Sequence, residues 1–238
     1  MIILGIDTSG RDGSVALARG SGERFEVLGV APIAGGTYSA QLIPAIAALL
    51  AGASLAKSAI DLLAVVSGPG SFTGLRVGLS TVKGLAEALG KPIVAVSMLE
   101  ATAAASRQTG SVVAALDAQR GDVYVGEYQV IHSEVPSELR LHRIAEVLLS
   151  LEDFTASLGA RIPVPVTYTP DATVERAVRE SGSAVEKIPR PGADLIARLG
   201  VAKYLQGLTT SSEALDANYL RHSDAEIFAT PKSARPPE

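Results

Sequence analysis

The fold is indicated by the stretch Ile3-Leu-Gly-Ile-Asp7-Thr-Ser-Gly-Arg-Asp-Gly-Ser-Val-Ala-Leu-Ala18. Its pattern is typical of an apolar strand that ends in aspartate, followed by a polar turn and an outgoing strand. Val113–Tyr128 repeats this order, with Asp117 in the position that Asp7 holds in the first stretch. A repeat of about 110 residues is too long for a solenoid and indicates two related subdomains that face one another. Because strand, aspartate and turn are a common combination, a chance match stays open at this point.

Composition limits the class of protein. The chain has 238 residues, 47% of them hydrophobic and 19% charged, which excludes disorder as its main state. It has no cysteine, so disulfides, thiolate metal sites and a cysteine nucleophile are excluded. The first residues carry no basic region, and no apolar run reaches membrane-spanning length, so we expect a cytoplasmic protein. A net charge of -4 argues against a broad basic face for nucleic acid.

Apolar periodicity predicts alternating strands and helices, which is typical of an α/β protein. Strands are predicted at Ile2–Ile6, Ser14–Ala18, Arg24–Val30, Leu62–Ser67, Ile93–Val96, Val112–Leu116, Val123–Val130 and Val164–Tyr168. Helices are predicted at Ser39–Ala53, Thr73–Leu89, Met98–Ser106, Ile144–Leu151, Val174–Ser181 and Asp194–Leu205. The polar, proline-rich stretch Ala229–Glu238 is predicted to be disordered.

The two aspartate turns admit two interpretations. Thr8 and Ser9 offer hydroxyl and backbone N–H groups to a phosphate, and the carboxylates of Asp7 and Asp117 could hold the water shell of a magnesium ion. Alternatively, each aspartate organises its own turn by hydrogen bonding to nearby backbone. Taken alone, the residues favour the second interpretation.

The loop Gly68–Gly74 joins a predicted strand to a predicted helix, where a helix N-terminus can bind an anion. No Lys-Ser or Lys-Thr pair closes it, so it is not a Walker loop, and its glycine spacing differs from a dinucleotide-binding fingerprint. We therefore expect a structural loop that caps the helix through Ser71 or Thr73.

Two predicted helices, Ser39–Ala53 and Thr73–Leu89, are apolar over a wide arc. Such surfaces are covered either by another subunit or by the sheet of the same chain, and both remain open. Within the second helix, Gly78 and Gly84 are predicted to allow close packing, because glycine otherwise destabilises a helix.

The three histidines, His132, His142 and His222, lack the spacing of a helical metal pair and are predicted to be solvated. The chain also lacks the Gly-x-Ser-x-Gly elbow of serine hydrolases. The residues therefore predict no metal site.

Four motifs together resemble one protein family. They are Ile-Leu-Gly-Ile-Asp7-Thr8-Ser9, Ser67-Gly-Pro-Gly-Ser-Phe-Thr-Gly-Leu-Arg76-Val-Gly-Leu, Asp117-Ala-Gln-Arg-Gly-Asp-Val-Tyr124 and Asn218-Tyr219-Leu220-Arg221. The chain is similar to the TsaB (YeaZ) family, the dimerisation subunit of the bacterial tRNA threonylcarbamoyladenosine system. The similarity covers most of residues 1–131 and resumes at about 190–222.

This resemblance implies an actin/hexokinase-like (ASKHA) α/β fold with two tandem subdomains, each a mixed sheet flanked by helices. It places the subdomains at residues 1–108 and 109–225, before a disordered tail at 226–238. In this superfamily the aspartate hairpins bind the phosphates of ATP, but TsaB-type members are degenerate. The implied nucleotide site is therefore vestigial, and its residues are Asp7, Thr8, Ser9 and Asp117. The catalytic relative TsaD has paired metal histidines on the first helix, where this chain reads Thr37-Tyr38-Ser39, so no metal ligand or catalytic residue is expected.

The resemblance also implies a function. It predicts a non-catalytic scaffold that pairs with a TsaD-like threonylcarbamoyltransferase and works with a TsaE-like ATPase on adenosine 37 of ANN-decoding tRNAs. ATP and metal are expected on those partners, tRNA contacts only through the complex, and a homodimer in isolation. The predicted partner interface consists of Leu42, Ile43, Ile46, Leu75, Leu79 and Val82. The alternative from another class is a stand-alone ATP-dependent phosphotransferase of the same fold.

Overall fold

The first half of the chain forms a five-stranded mixed sheet. The computed structural model describes residues 1–160 and 165–221. The strands of this sheet are β1 (Ile2–Asp7), β2 (Asp12–Gly20), β3 (Phe25–Ala34), β4 (Ile60–Gly68) and β5 (Ile93–Ser97). Their order is β3-β2-β1-β4-β5, with β1, β2 and β3 antiparallel and with β4 and β5 added parallel to β1.

The second half forms another five-stranded sheet with the same topology. Its strands are β6 (Gly110–Gln119), β7 (Asp122–Ile131), β8 (Arg140–Ser150), β9 (Thr167–Thr169) and β10 (Val185–Lys187). The order β8-β7-β6-β9-β10 matches the first sheet strand for strand, including an antiparallel meander and two parallel additions. This equivalence confirms the predicted duplication and makes a chance match of the two aspartate motifs untenable.

Helices occupy equivalent places in the two halves. They are α1 (Tyr38–Gly52), α2 (Phe72–Leu89), α3 (Met98–Ala105), α4 (Leu151–Gly159), α5 (Ala172–Glu180) and α6 (Ala193–Leu205). The third helix of each half packs on the other half, because α6 lies on β1, β2 and β4 whereas α3 lies on β6 and β7. Across this exchange, Lys203 Nζ on α6 lies 2.7 Å from Glu100 Oε2 on α3. Within the described residues, no helix has the combination of length and apolar character needed to cross a bilayer.

The predicted helix Ile144–Leu151 is wrong, because most of this segment belongs to strand β8. Its apolar residues happen to recur every three or four positions, which imitates a helical stripe. Pairing with β7 along the whole strand overrides that local signal. Ile144 is the extra residue of a bulge, since Arg143 pairs with Tyr128 and Ala145 with Glu127.

Several other predictions are tested only in part, or not at all, by the described residues. The predicted strand Val164–Tyr168 begins outside the described residues, and the strand observed there is β9. The tail predictions at 226–238 and 229–238 also lie outside the described residues. The division at residue 108 stays a prediction, although β5 and α3 precede it and β6 follows it.

Helix α2 packs end-on against the turn that follows β1. Ser71 caps the helix by accepting a hydrogen bond from Gly74 N at 3.3 Å, as the sequence predicted. A Cβ on Gly74 would lie 2.0 Å from Thr8 O, and one on Gly78 would lie 2.3 Å from Thr8 Oγ1. Close packing is thus confirmed for Gly78. For Gly84 the same prediction is wrong, because a Cβ there would meet open space.

These two glycines of one helix form a matched pair for mutation. We expect Gly78→Ala to lower the free energy of unfolding by about 1–3 kcal/mol, because the added methyl group overpacks a buried contact. Gly84→Ala should raise it by about 0.5–1 kcal/mol, since alanine restricts the unfolded chain and meets nothing in the folded one. Urea denaturation of both variants measures the difference, and equal effects would contradict the packing described here.

Candidate functional site

The β1–β2 and β6–β7 turns face each other across a cleft. A cavity of about 500 Å³ lies between them, and its walls come from both turns, from the β4–α2 loop and from the loop before α6. Six of its lining residues are Ser9, Gly70, Asp117, Gln119, Asp171 and Arg190. Asp7 and Thr8 lie behind this surface and do not line the cavity. The structure therefore brings both predicted aspartate turns to one site. Of the four predicted site residues, Ser9 and Asp117 line the cavity and Asp7 and Thr8 do not.

Asp7 is enclosed by its own turn. Its side chain is buried, with the residue 2% exposed, and its Oδ1 accepts hydrogen bonds from Ser9 N at 2.8 Å and Ser9 Oγ at 2.6 Å. Arg190 Nη2 donates to the same Ser9 Oγ at 3.2 Å. Burial raises the pKa of Asp7, while the Arg190 charge and the Ser9 hydrogen bonds oppose that rise.

The carbonyl groups of this turn are also bound by protein. Ser71 N donates to Ser9 O at 2.7 Å, and Tyr38 Oη donates to Gly10 O at 2.9 Å. Thr8 is buried, and its hydroxyl has no hydrogen-bond partner among the described residues. The turn that the sequence made a candidate phosphate loop is therefore packed against α1 and α2.

Tyr38 stands where the paired histidines of the catalytic relative would lead us to expect a metal ligand. Its ring is buried in the first subdomain. Burial raises the pKa of the Tyr38 hydroxyl to about 12, and the charges of Asp7 and Asp12 add to that rise. The hydroxyl is therefore protonated at physiological pH and serves as the donor that fixes Gly10.

Asp117 repeats the bonding of Asp7 in a more open setting. Its Oδ1 accepts a hydrogen bond from Gln119 N at 2.7 Å, the same two-residue step that joins Asp7 to Ser9 N. Its own backbone N–H donates to Asp171 Oδ2 at 2.8 Å. The turn-organising interpretation thus holds for both aspartates. The vestigial nucleotide site stays a prediction.

Five of the six predicted partner residues are buried in the chain itself. Leu42, Ile46, Leu79 and Val82 belong to the core between the first sheet and helices α1 and α2, and Leu75 belongs to the core that residues of both halves share. Their side chains are therefore not available to a partner, and the interface prediction is corrected for them. Only Ile43 is exposed, at 53%. The sequence left open whether the apolar helices are covered by another subunit or by the chain's own sheet. The strongest apolar stripes lie on the chain's own sheet, so cover by another subunit stays open only for the outward faces of these helices.

The outward side of α1 is nevertheless apolar. Helix α1 contains no charged residue, and the exposed residues on it are mostly small or aliphatic. We call the following set the α1 outer face: Ala40, Ile43, Pro44, Ala47, Ala48 and Ala51. A solvated helix normally carries charges on its outer side, so this face has the composition of a contact surface.

A second cavity, of about 350 Å³, adjoins the cleft at the start of α2. We call it the aromatic pocket and define it by Phe72, Arg120, Tyr124, Tyr219 and Arg221. The rings of Phe72 and Tyr219 are 5.2 Å apart, and the Arg76 guanidinium lies 3.7 Å from the centre of the Phe72 ring.

The sequence analysis missed this pocket because its residues come from distant segments. Arg221 anchors one wall, since its Nη2 lies 2.5 Å from Asp122 Oδ2 and 3.3 Å from Gln119 O. Burial raises the pKa of Tyr124, and Arg221 opposes that rise. The five residues lie in three of the motifs that carry the family resemblance, but no local pattern in those motifs shows that they meet in one pocket.

The histidine predictions have mixed outcomes. His132 is partly buried, and its Nε2 lies 3.4 Å from Oε1 of the exposed Glu134, so the predicted solvated role holds for it only in part. His142 is exposed as predicted, and His222 lies outside the described residues. In the part of the chain that the structure describes, no three histidine or carboxylate side chains come together as a metal site.

Two equivalent sheets that meet at a cleft form an actin/hexokinase-like fold. A hexokinase of the ROK type from Thermus thermophilus superposes with a TM-score of 0.50 at 13% identity over 87% of this chain and 100% of its own, a likeness in fold alone. A YeaZ-like protein from Pseudomonas aeruginosa superposes much better, with a TM-score of 0.74 at 30% identity over 92% of this chain and 99% of its own.

Sequence comparisons narrow the class further. A family model described as TsaD, tRNA N6-adenosine threonylcarbamoyltransferase, matches residues 21–209. The tRNA threonylcarbamoyladenosine biosynthesis protein TsaB of Bacillus subtilis is 31% identical over 95% of this chain and 96% of its own length. The Haemophilus influenzae TsaB is 37% identical over 58% of this chain and 57% of its own length. The chain belongs to the TsaB (YeaZ) family.

The burial of Asp7 generates a stability prediction. Because the pKa of Asp7 is raised in the folded chain, its ionised form disfavours folding once the pH exceeds the ordinary carboxyl pKa of about 3.9. Asp7→Asn should therefore raise the free energy of unfolding at neutral pH, while its Oδ1 still accepts from Ser9. Below that pH, the carboxyl group is protonated in both states and the two proteins should converge.

Urea denaturation at neutral and acid pH tests this prediction. Asp216→Asn is the control, because Asp216 is exposed and only binds the next backbone N–H group. It should leave the free energy of unfolding unchanged at both pH values. A neutral-pH loss of stability in Asp7→Asn would show that the ionised carboxylate is favourable where it lies.

Proposed function

We propose that this chain takes part in tRNA threonylcarbamoyladenosine biosynthesis as a non-catalytic subunit that binds a TsaD-like threonylcarbamoyltransferase. The family supplies the pathway, because its curated relatives carry that name. The observation that carries the non-catalytic role is the enclosure of Asp7 by Ser9, Arg190 and the helices around the turn.

The enclosed turn is a poor phosphate or magnesium site. One carboxylate oxygen of Asp7, Oδ1, already accepts two hydrogen bonds from Ser9, and the side chain is buried. Ser9 N, which could have bound a phosphate, donates to that carboxylate instead. A nucleotide would have to displace these internal contacts. ATP and metal therefore belong on the partner subunits, the TsaD-like enzyme and a TsaE-like ATPase.

The α1 outer face is the partner surface in this proposal. It offers exposed aliphatic groups without a charge, and it lies over buried residues of the same helix that keep the helix rigid on its sheet. An apolar face that lacks its partner tends to cover itself, so the isolated chain forms a homodimer through the same residues.

Substitution of Ile43 tests the partner surface. Co-expressed with a TsaD-like subunit, the Ile43→Asp variant should bind it with a Kd raised about tenfold or more, because a charge then enters an apolar contact. Ile131→Asp is the matched control, since Ile131 is 54% exposed and Ile43 is 53% exposed. Isothermal titration calorimetry gives the affinities, and both exposed substitutions should change stability by no more than about 0.5 kcal/mol.

Equal affinities of the wild type and the Ile43→Asp variant for the TsaD-like subunit would show that the interface does not include this face of α1. Absence of any complex with the TsaD-like subunit would overturn the scaffold role itself. Sedimentation of the isolated chain adds a second readout, since Ile43→Asp should shift a homodimer toward monomer and Ile131→Asp should not.

The phosphotransferase alternative has its own test. Titration of the isolated chain with magnesium and ATP should give no binding heat, because the Asp7 turn is internally bonded. The same titration of the complex with the TsaD-like subunit is the control, since it shows that the ATP preparation can be bound. Micromolar binding with turnover by the isolated chain would favour the alternative over the scaffold role.

A further inference from the structure

In contrast to the expectation that tRNA is contacted only through the complex, we infer that the aromatic pocket binds an unpaired nucleotide of RNA directly, with the base against the rings and the phosphate at the arginines. This inference rests on the proposed function for its biological context, since that function brings a tRNA to the complex. Its chemistry rests on the pocket alone.

The rings provide a stacking surface. Phe72 is 40% exposed at the first turn of α2, with part of its ring covered by the Arg76 guanidinium and the rest accessible at the pocket. The Phe72 and Tyr219 planes are inclined by 33°, and Arg76 Nε donates to Tyr219 Oη at 3.4 Å, which holds this wall in place. Bases stack readily on aromatic rings and on arginine planes.

The pocket is positive on an acidic protein. Its lining includes Arg120 and Arg221 and no acidic residue, whereas the whole chain has a net charge of -4. Asp122 pairs with Arg221 from outside the lining, so the free charge comes from Arg120. Arg120 is exposed on the β6–β7 turn and makes no hydrogen bond or ion pair with the described residues.

Geometry favours a polynucleotide over a free nucleoside triphosphate. The neighbouring cleft is lined by Asp12, Asp117 and Asp171 together with Arg11 and Arg190, so carboxyl groups outnumber cations there and a chain of phosphates is less favoured than in the pocket, whose lining has no acidic residue. The exposed Arg76, which lies over the Phe72 ring and is not among the lining residues of the pocket, can accompany a sugar–phosphate backbone. A cavity of about 350 Å³ accommodates one base rather than a duplex.

Fluorescence anisotropy of the full chain with a labelled oligouridylate of about ten nucleotides tests the inference. At about 50 mM salt we expect measurable binding that weakens steeply with salt. Phe72→Ala should raise the Kd about fivefold or more through lost stacking. Arg120→Gln should raise the Kd and reduce the slope of log K against log salt by about 0.7, as for one lost phosphate contact on a single strand.

Arg24→Gln is the matched control, because it removes the same charge from an exposed loop far along the chain from the pocket. It should leave the Kd near that of the wild type, and a duplex of equal length should bind more weakly than the single strand. Circular dichroism confirms that each exposed-site variant is folded.

Three results would overturn the inference: no binding of the oligouridylate at low salt, an equal loss with Arg24→Gln, or saturable binding of AMP without binding of RNA. None of them bears on the complex with the TsaD-like subunit, which is measured separately through Ile43. If the complex with the TsaD-like subunit forms normally but the pocket does not bind RNA, this inference is wrong and the scaffold role is unaffected.

Discussion

The hydrogen bonds from Ser9 to the buried Asp7 carboxylate are the contact on which the rest of the site depends. They shape a turn tight enough for α2 to approach through Gly74 and Gly78, with Thr8 between them. A larger or more open turn would separate α2 from the sheet and expose the core beneath it. The internal bonding that shapes this turn is thus the same bonding that occupies Asp7 Oδ1 and Ser9 N.

The duplicated fold separates structural from chemical roles. Both aspartates accept a hydrogen bond from the backbone N–H group two residues later, so the turn geometry is common to both halves. In the first turn Asp7 and Thr8 are buried, while Arg11 and Asp12 of the same turn are exposed and line the cleft. In the second turn Asp117 itself lines the cleft, and it has no cationic partner among the contacts described above.

Sequence reasoning worked where local pattern and tertiary structure agree. The aspartate turns, the duplication and most elements are visible because strand and turn chemistry is local. It failed for β8, where pairing with β7 overrode a helix-like spacing. It also chose Leu79 and Ile46 for the interface, because periodicity detects the stripe that is buried, not the residues opposite it. The contacts of Arg190 with Ser9 and of Tyr219 with Arg76 join residues far apart in the sequence, so no local pattern predicts them.

Helix α2 connects the two surfaces that the proposals use. Its first turn carries Phe72 and Arg76 at the aromatic pocket, and its body packs against α1, whose outer face is free of charge. Because a helix is rigid over this length, a partner seated on α1 has a fixed position relative to the pocket. Under the two proposals, the chain contributes to the reaction through placement, by presenting one surface to the TsaD-like subunit and another to RNA.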